Sequence, residues 1–167
     1  MGGDVSIDLG SLLPYVEQRL RGLFGRDASS LEWNQKLKDL ARVSTEQASY
    51  VQSVGMHTRI PIQKIYQPTG LTRQAVEAKK KEVVDIHTLL RNEEDAIIFA
   101  GPGRGKTTLL HHLYISLTTN QGIFDKSPVP VLYTLRWPDA PGDLVEFVDR
   151  LSKTSHSRHK IILLVDG

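Results

Sequence analysis

The chain has 167 residues, 40% of them hydrophobic and 24% charged, with 21 basic and 19 acidic side chains and a formal net charge of +2. That size suits one ordinary domain with or without a small appendage, and the composition is that of a soluble globular protein. Zero cysteines exclude a disulfide framework, a thiolate nucleophile and a cysteine-ligated metal. The mild charge gives no footprint for nucleic acid or an anionic membrane.

Met1-Gly2-Gly3-Asp4 lacks the basic start and apolar run of a secretory signal. Gly2 and Ser6 match a short myristoylation pattern, too short to set against the rest. No apolar run approaches the ~20 residues that cross a bilayer. The longest, Ala96 to Ala100 and Ile161 to Val165, are strand-sized. A cytoplasmic location without a membrane partner is therefore expected.

Residues 1–58 read as a helical N-terminal region. Leu12, Leu13, Val16, Leu20 and Leu23 follow helical spacing behind Ser11, a suitable N-cap. A break spans Gly25 to Ser30. A second helix begins at Ser29 or Ser30, carries Leu37, Leu40 and Val43 on one face, bends or breaks near Ser44, and runs through Val54 to Gly55. Such helices suit self-association or partner proteins. Residues 59–94 read as a linker and a helix. Ile60-Pro61-Ile62 and Ile65-Tyr66-Gln67-Pro68-Thr69-Gly70 predict an extended linker or edge strand. Residues 73–91 predict a helix with a wet N-terminal half.

Residues 95–167 alternate strands and helices. Ala96 to Ala100 is a continuous apolar run, as expected of a strand buried on both faces. Lys106 to Leu117 and Asp143 to Ser152 carry apolar residues at helical spacing. Val129 to Leu135 and Ile161 to Val165 predict two more strands. Strand, helix, strand, helix, strand predicts an α/β domain with a parallel sheet.

Between the first strand and its helix stands Ala100-Gly101-Pro102-Gly103-Arg104-Gly105-Lys106-Thr107-Thr108. It nearly fits G-x-x-x-x-G-K-[ST], with Ala100 at the first glycine position. The strand before it and the helix after it are the context that motif requires. Glycines let the backbone curl so that N–H groups converge on an anion. The helix adds the positive end of its dipole. Lys106 is placed to reach β- and γ-phosphates, Thr107 to meet Mg²⁺, and Thr108 to donate to an α-phosphate. The candidate nucleotide-binding residues are Gly101, Pro102, Gly103, Arg104, Gly105, Lys106, Thr107 and Thr108. Ile161 to Asp166 has the form of a Walker B strand, with Asp166 placed beside the loop as a second Mg²⁺ residue. ATP, or GTP, with Mg²⁺ is the implied ligand.

Other clusters point to blander roles. His111 and His112 lack further ligands at zinc spacing. Lys79-Lys80-Lys81 is flanked by Glu77 and Glu82, and Ser155 to Lys160 is a basic turn. Both read as solvated surface, and no nucleic-acid contact is expected of them.

With these residues in hand, the sequence resembles the NACHT family of signal-transducing (STAND-type) P-loop NTPases. The matching segments are A-I-I-F-A-G-P-G-R-G-K-T-T-L-L, P-V-L-Y-T-L-R-W and I-I-L-L-V-D-G, covering residues 95–167. Leu135-Arg136 and Asp166-Gly167 point most specifically to that family. The resemblance implies a nucleotide-controlled signalling switch, often of innate immunity or defence. It adds Tyr66 and Pro68 as residues packing near the base. In the family a further strand, later in the chain, lies between the first strand and the Walker B strand. The implied sheet is thus incomplete, about three strands, as in the N-terminal portion of a longer protein cut after Walker B. The water-positioning acid and sensor regions of the family have no counterpart here, so no residue is assigned to catalysis. Two other readings stay open: a small P-loop phosphotransferase, and a helical interaction module with a vestigial NTPase.

Overall fold

The computed structural model describes residues 28–51, 58–68, 70–74, 81–92, 95–119, 128–135, 143–154 and 160–167. The expected helix at Leu12 to Leu23, the first part of the break, at 25–27, and the Arg136 position lie outside them, whereas Ala28 to Ser30, expected within that break, are helical.

Helix α1, Ala28–Ser49, buries Trp33, Leu37, Leu40, Ala41, Ser44, Thr45 and Ala48 as one stripe. Their spacing of three and four residues keeps them on a single face. The bend expected near Ser44 does not break the helix, because both hydroxyls there find partners. Thr45 Oγ1 donates to the Ala41 carbonyl at 2.7 Å and lies 3.1 Å from the Tyr114 hydroxyl. Ser44 Oγ donates to the Leu132 carbonyl at 3.2 Å. The helix ends short of Val54, where β1, Tyr50–Val51, pairs antiparallel with β2, Ile60–Pro61.

One helical turn follows, α2, Ile62–Ile65, whose Ile62 is buried. The expected extended linker or edge strand is met by β2 and by the extended Tyr66, while Ile62–Ile65 between them is a turn of helix. The helix expected over 73–91 is also corrected. Strand β3, Leu71–Gln74, pairs antiparallel with β4, Lys81–Val84, and among the described residues of that stretch only α3, Ile86–Arg91, is helical. Opposed Thr72 and Val83 are β-branched, a side-chain type that fits a pleated pair. Asp85 caps α3, accepting from the His87 N–H at 3.3 Å.

The larger core surrounds two parallel strands. Helix α4, Lys106–Thr119, leads to β5, Val129–Thr134. Helix α5, Leu144–Thr154, leads to β6, Ile161–Asp166. The register is even, with Val131 opposite Leu163 and Leu132 opposite Leu164. Side-chain alternation divides the core into two layers. Leu132, Ile162 and Leu164 pack with Leu109, Leu113 and Leu117 of α4. Val131 and Tyr133 pack with Trp33 and Leu37 of α1 and with Phe147 and Leu151 of α5. Helices on both faces explain why β5 is buried along nearly its whole length.

Among the described residues this sheet has two strands rather than about three. Asp95 to Ala100 forms neither ladder nor helix. Ile97 and Phe99, expected to be buried on two faces, are 81% and 88% exposed. An apolar run becomes a buried strand only when neighbouring strands flank it, and here none of the described strands does. On the other edge, β5 is protected. Val129 N–H donates to the Lys160 carbonyl at 2.8 Å, so Pro130 faces away from β6, where its missing N–H costs no ladder bond. Leu132 faces the same way and its carbonyl is taken by Ser44. No described helix is long and apolar enough to cross a membrane.

Candidate functional site

The turn from Gly101 to Gly105 carries two residues in the left-handed region, Gly103 at φ 71° and Gly105 at φ 77°. A side chain at either position would be strained by its own backbone. Gly101 closes the turn by accepting from the Arg104 N–H at 3.4 Å, and Gly105 accepts from Leu109 N–H at 2.8 Å to begin α4. Gly101, Pro102, Gly103, Arg104 and Gly105 are all exposed. The first N–H groups of α4 therefore open onto an accessible concavity.

Lys106 bends back over this turn. Its ammonium donates to the Ala100 carbonyl at 2.7 Å and to the Gly101 carbonyl at 3.0 Å. One positive charge thus stands at the turn, beside the positive end of the helix dipole. Thr107 lies one residue further and meets a residue far along the chain. Its Oγ1 donates to Asp166 Oδ1 at 3.1 Å. Thr107 and Asp166 are brought together because α4 packs on the sheet face formed by Ile162 and Leu164. Thr108 is half-buried in the same turn of helix. Beside the loop is a cavity of about 1190 Å³, walled by Gly101, Arg104, Gly105 and Lys106 on one side and by Gly70, Leu71 and Thr72 on another.

Tyr66 and Pro68 stand elsewhere. Tyr66 stacks on His112, with ring centroids 3.7 Å apart and planes 10° apart. That stack sits on the flank of α4, one turn and more beyond Lys106. Pro68 is exposed and does not line the cavity beside the loop. The stack joins residues that sequence reading left unconnected. His112 Nε2 lies 3.4 Å from Ser116 Oγ, and the charge of His87 on α3 bears on His112. His87 Nδ1 and His112 Nδ1 are buried without a hydrogen-bond partner. Only the fold shows this, since 25 positions separate the two histidines and no spacing signal connects them.

Burial lowers the pKa of His112 below its usual 6.5, and the nearby His87 lowers it further. Burial lowers that of His111 too, against a smaller upward pull from Asp166. Both therefore favour the neutral ring in the fold. The unfolded chain binds more protons between the two sets of pKa values, so stability rises with pH there. The contribution is fully present above about pH 7 and is lost as pH falls through the lowered folded values. The thermal midpoint is expected to drop between pH 7.5 and 5.5, by less in His112→Gln. An equal drop in both proteins would remove His112 from this account. Burial acts oppositely on Tyr114, whose hydroxyl is pushed up to about 12.

Among the described residues no group of three or more His, Asp or Glu side chains is placed to hold a metal ion. Comparison with known proteins found no matching family model, no matching curated protein and no matching solved structure.

Proposed function

We propose that this chain binds a nucleoside triphosphate together with Mg²⁺, as the nucleotide-binding part of a NACHT-type signalling switch. The observation that carries this reading is the meeting of Thr107 and Asp166 at 3.1 Å, beside a glycine turn that opens a helix. A hydroxyl and a carboxylate are hard oxygen ligands. Mg²⁺ needs only one or two such groups from a protein, since water and phosphate oxygens complete its octahedron. A cage of three carboxylates or histidines is therefore not required. The phosphates would lie against the loop amides and Lys106, with their charge matched by the ammonium and the helix dipole. The adjoining cavity, about 1190 Å³, exceeds the roughly 300–1,000 Å³ of most small-molecule sites and so leaves room for a nucleotide. ATP and GTP are both compatible with these contacts, none of which reads the base.

Bound Mg²⁺ would neutralise phosphate charge. The chain's own residues hold and orient: Lys106 by charge, the loop by backbone donors, Thr107 and Asp166 by oxygen. The reading assigns binding to these residues and a water-activating role to none of them. Fluorescent ATP and GTP titrations, with and without Mg²⁺, test it. The wild-type chain is expected to bind more tightly with Mg²⁺. Asp166→Asn is expected to lose most of that gain, about tenfold or 1.4 kcal/mol, while its Mg²⁺-free affinity stays near wild type. A full Mg²⁺ gain in Asp166→Asn would overturn the assignment.

A further inference from the structure

His87 on α3 and His112 on α4 are brought together by packing alone. Ile86 and Leu90 of α3 pack against the cluster that holds Leu109, Leu113 and Leu117 of α4. His87 lies between them in the chain, and its charge bears on His112. Coulomb influence falls off with distance, so the two rings are neighbours. Each residue is half-buried, yet in each the Nδ1 atom is buried completely. Neither Nδ1 has a hydrogen-bond partner among the described residues. A buried polar atom without a partner is costly, and two of the same kind on neighbouring rings call for one explanation.

His112 is held on its other side. Tyr66 stacks on the ring at 3.7 Å, and Ser116 Oγ lies 3.4 Å from Nε2. A proton on Nε2, shared with Ser116, leaves Nδ1 as a bare lone pair. That is how a metal-ligating histidine is prepared: one nitrogen bonded to an oxygen, the ring fixed, the other nitrogen open. Burial and the nearby His87 lower the pKa of His112, which favours the neutral ring that a metal requires. A single cation satisfies both open nitrogens at once. Imidazole suits zinc, nickel and copper ions, whereas Mg²⁺ prefers oxygen. The described residues offer no set of three His, Asp or Glu ligands. Two protein nitrogens, completed by water, therefore make a site of modest affinity.

We propose that His87 and His112 bind one divalent transition-metal ion of the zinc class through their Nδ1 atoms, with water completing the coordination. The ion ties α3 to α4. Helix α3 has six residues and none that is fully buried, so apolar packing holds it weakly. His112 is the firm anchor, since Tyr66 and Ser116 already fix its ring. The site is separate from Thr107 and Asp166, whose oxygens suit a harder ion. It does not rest on the nucleotide reading.

The test uses the whole 167-residue chain at pH 7.5 without nucleotide. Zn²⁺ is titrated in competition with a chromogenic chelator, in excess Mg²⁺ and without it. One equivalent is expected to bind with micromolar affinity, unchanged by Mg²⁺. His87→Gln and His112→Gln are each expected to weaken binding by roughly tenfold or more. His156→Gln with His159→Gln, a pair close in sequence, is expected to keep full affinity. Affinity that survives in His87→Gln and His112→Gln but falls in the His156/His159 double variant overturns the proposal. So does affinity that falls only in Asp166→Asn, which puts the ion at Thr107 instead. Long-range proton–nitrogen spectra of the wild-type imidazoles decide the matter without any variant. Zn²⁺ is expected to shift Nδ1 of His87 and of His112 and to leave Nε2 of His112 protonated. Unmoved Nδ1 signals at saturating Zn²⁺ overturn the proposal and leave water as the partner of both atoms.

Discussion

Replacing Lys106 with alanine is expected to weaken ATP binding by about ten- to a hundredfold, as read by fluorescent-nucleotide titration. The ammonium stands 2.7 and 3.0 Å from two carbonyls of the turn, so its charge is held where phosphate oxygens would gather. Hydrogen bonds to charged groups contribute about 1.5–3 kcal/mol each, which spans that range. The fold itself should change little. Lys106 is half-exposed at the start of α4, and the turn keeps its glycines. A thermal midpoint within about 2 °C of wild type would separate a binding defect from unfolding. Lys106→Arg should not fully restore affinity, because a broad planar fork does not replace a compact charge inside a tight turn. Equal affinity in wild type and Lys106→Ala would sink the nucleotide reading.

Phe147→Ala is expected to be the most damaging change to stability, about 3–5 kcal/mol in urea unfolding. The ring is fully buried, 5.5 Å from Trp33 in an edge-on contact and 4.9 Å from Tyr133. It therefore links three elements, α1, β5 and α5. Its loss removes apolar contact from all three and leaves a cavity between them. Domains of this size are stable by about 5–15 kcal/mol, so the variant would sit near the edge of folding. Val145→Ala on the same helix is the contrast. Val145 is 75% exposed, and a change within about 0.5 kcal/mol is expected. Similar losses in the two variants would mean that the aromatic cluster is not the mainstay of that layer.

The features readable in the sequence were those set by local rules. Glycines at 103 and 105 occupy backbone states that other residues avoid, and the helix begins directly behind them. Phe147 and Leu151 are buried on their helix and Leu144 packs beside them, whereas Val148, at the same spacing, is exposed. The strands at 129–134 and 161–166 matched their apolar runs. Illegible features were those decided by distant partners. Val83, Val84, Ile86, Leu89 and Leu90 fit helical spacing as well as they fit a strand followed by a turn, and pairing with Leu71–Gln74 decided the matter. Ile97 and Phe99 carry the same strand signal as Leu163 and Leu164, yet only the latter have a described neighbour to pair with. In the candidate site, Thr107 and Asp166 could be named from motif chemistry. The Tyr66–His112 stack could not, since aromatic stacking leaves no mark at a sequence separation of 46.

The Ser44 hydroxyl on the Leu132 carbonyl bears on stoichiometry. Together with Pro130, which has no N–H to offer, it makes the outer border of β5 a poor template for a further strand. Among the described residues the β5–β6 sheet can lengthen in one direction only. Two copies meeting through the free edge of β6 would therefore stop at a pair, since among the described residues the outer border of β5 offers this sheet no continuation. Ser44→Ala with Pro130→Val would open the second end, and light scattering after prolonged incubation would register the change from pairs to polymers.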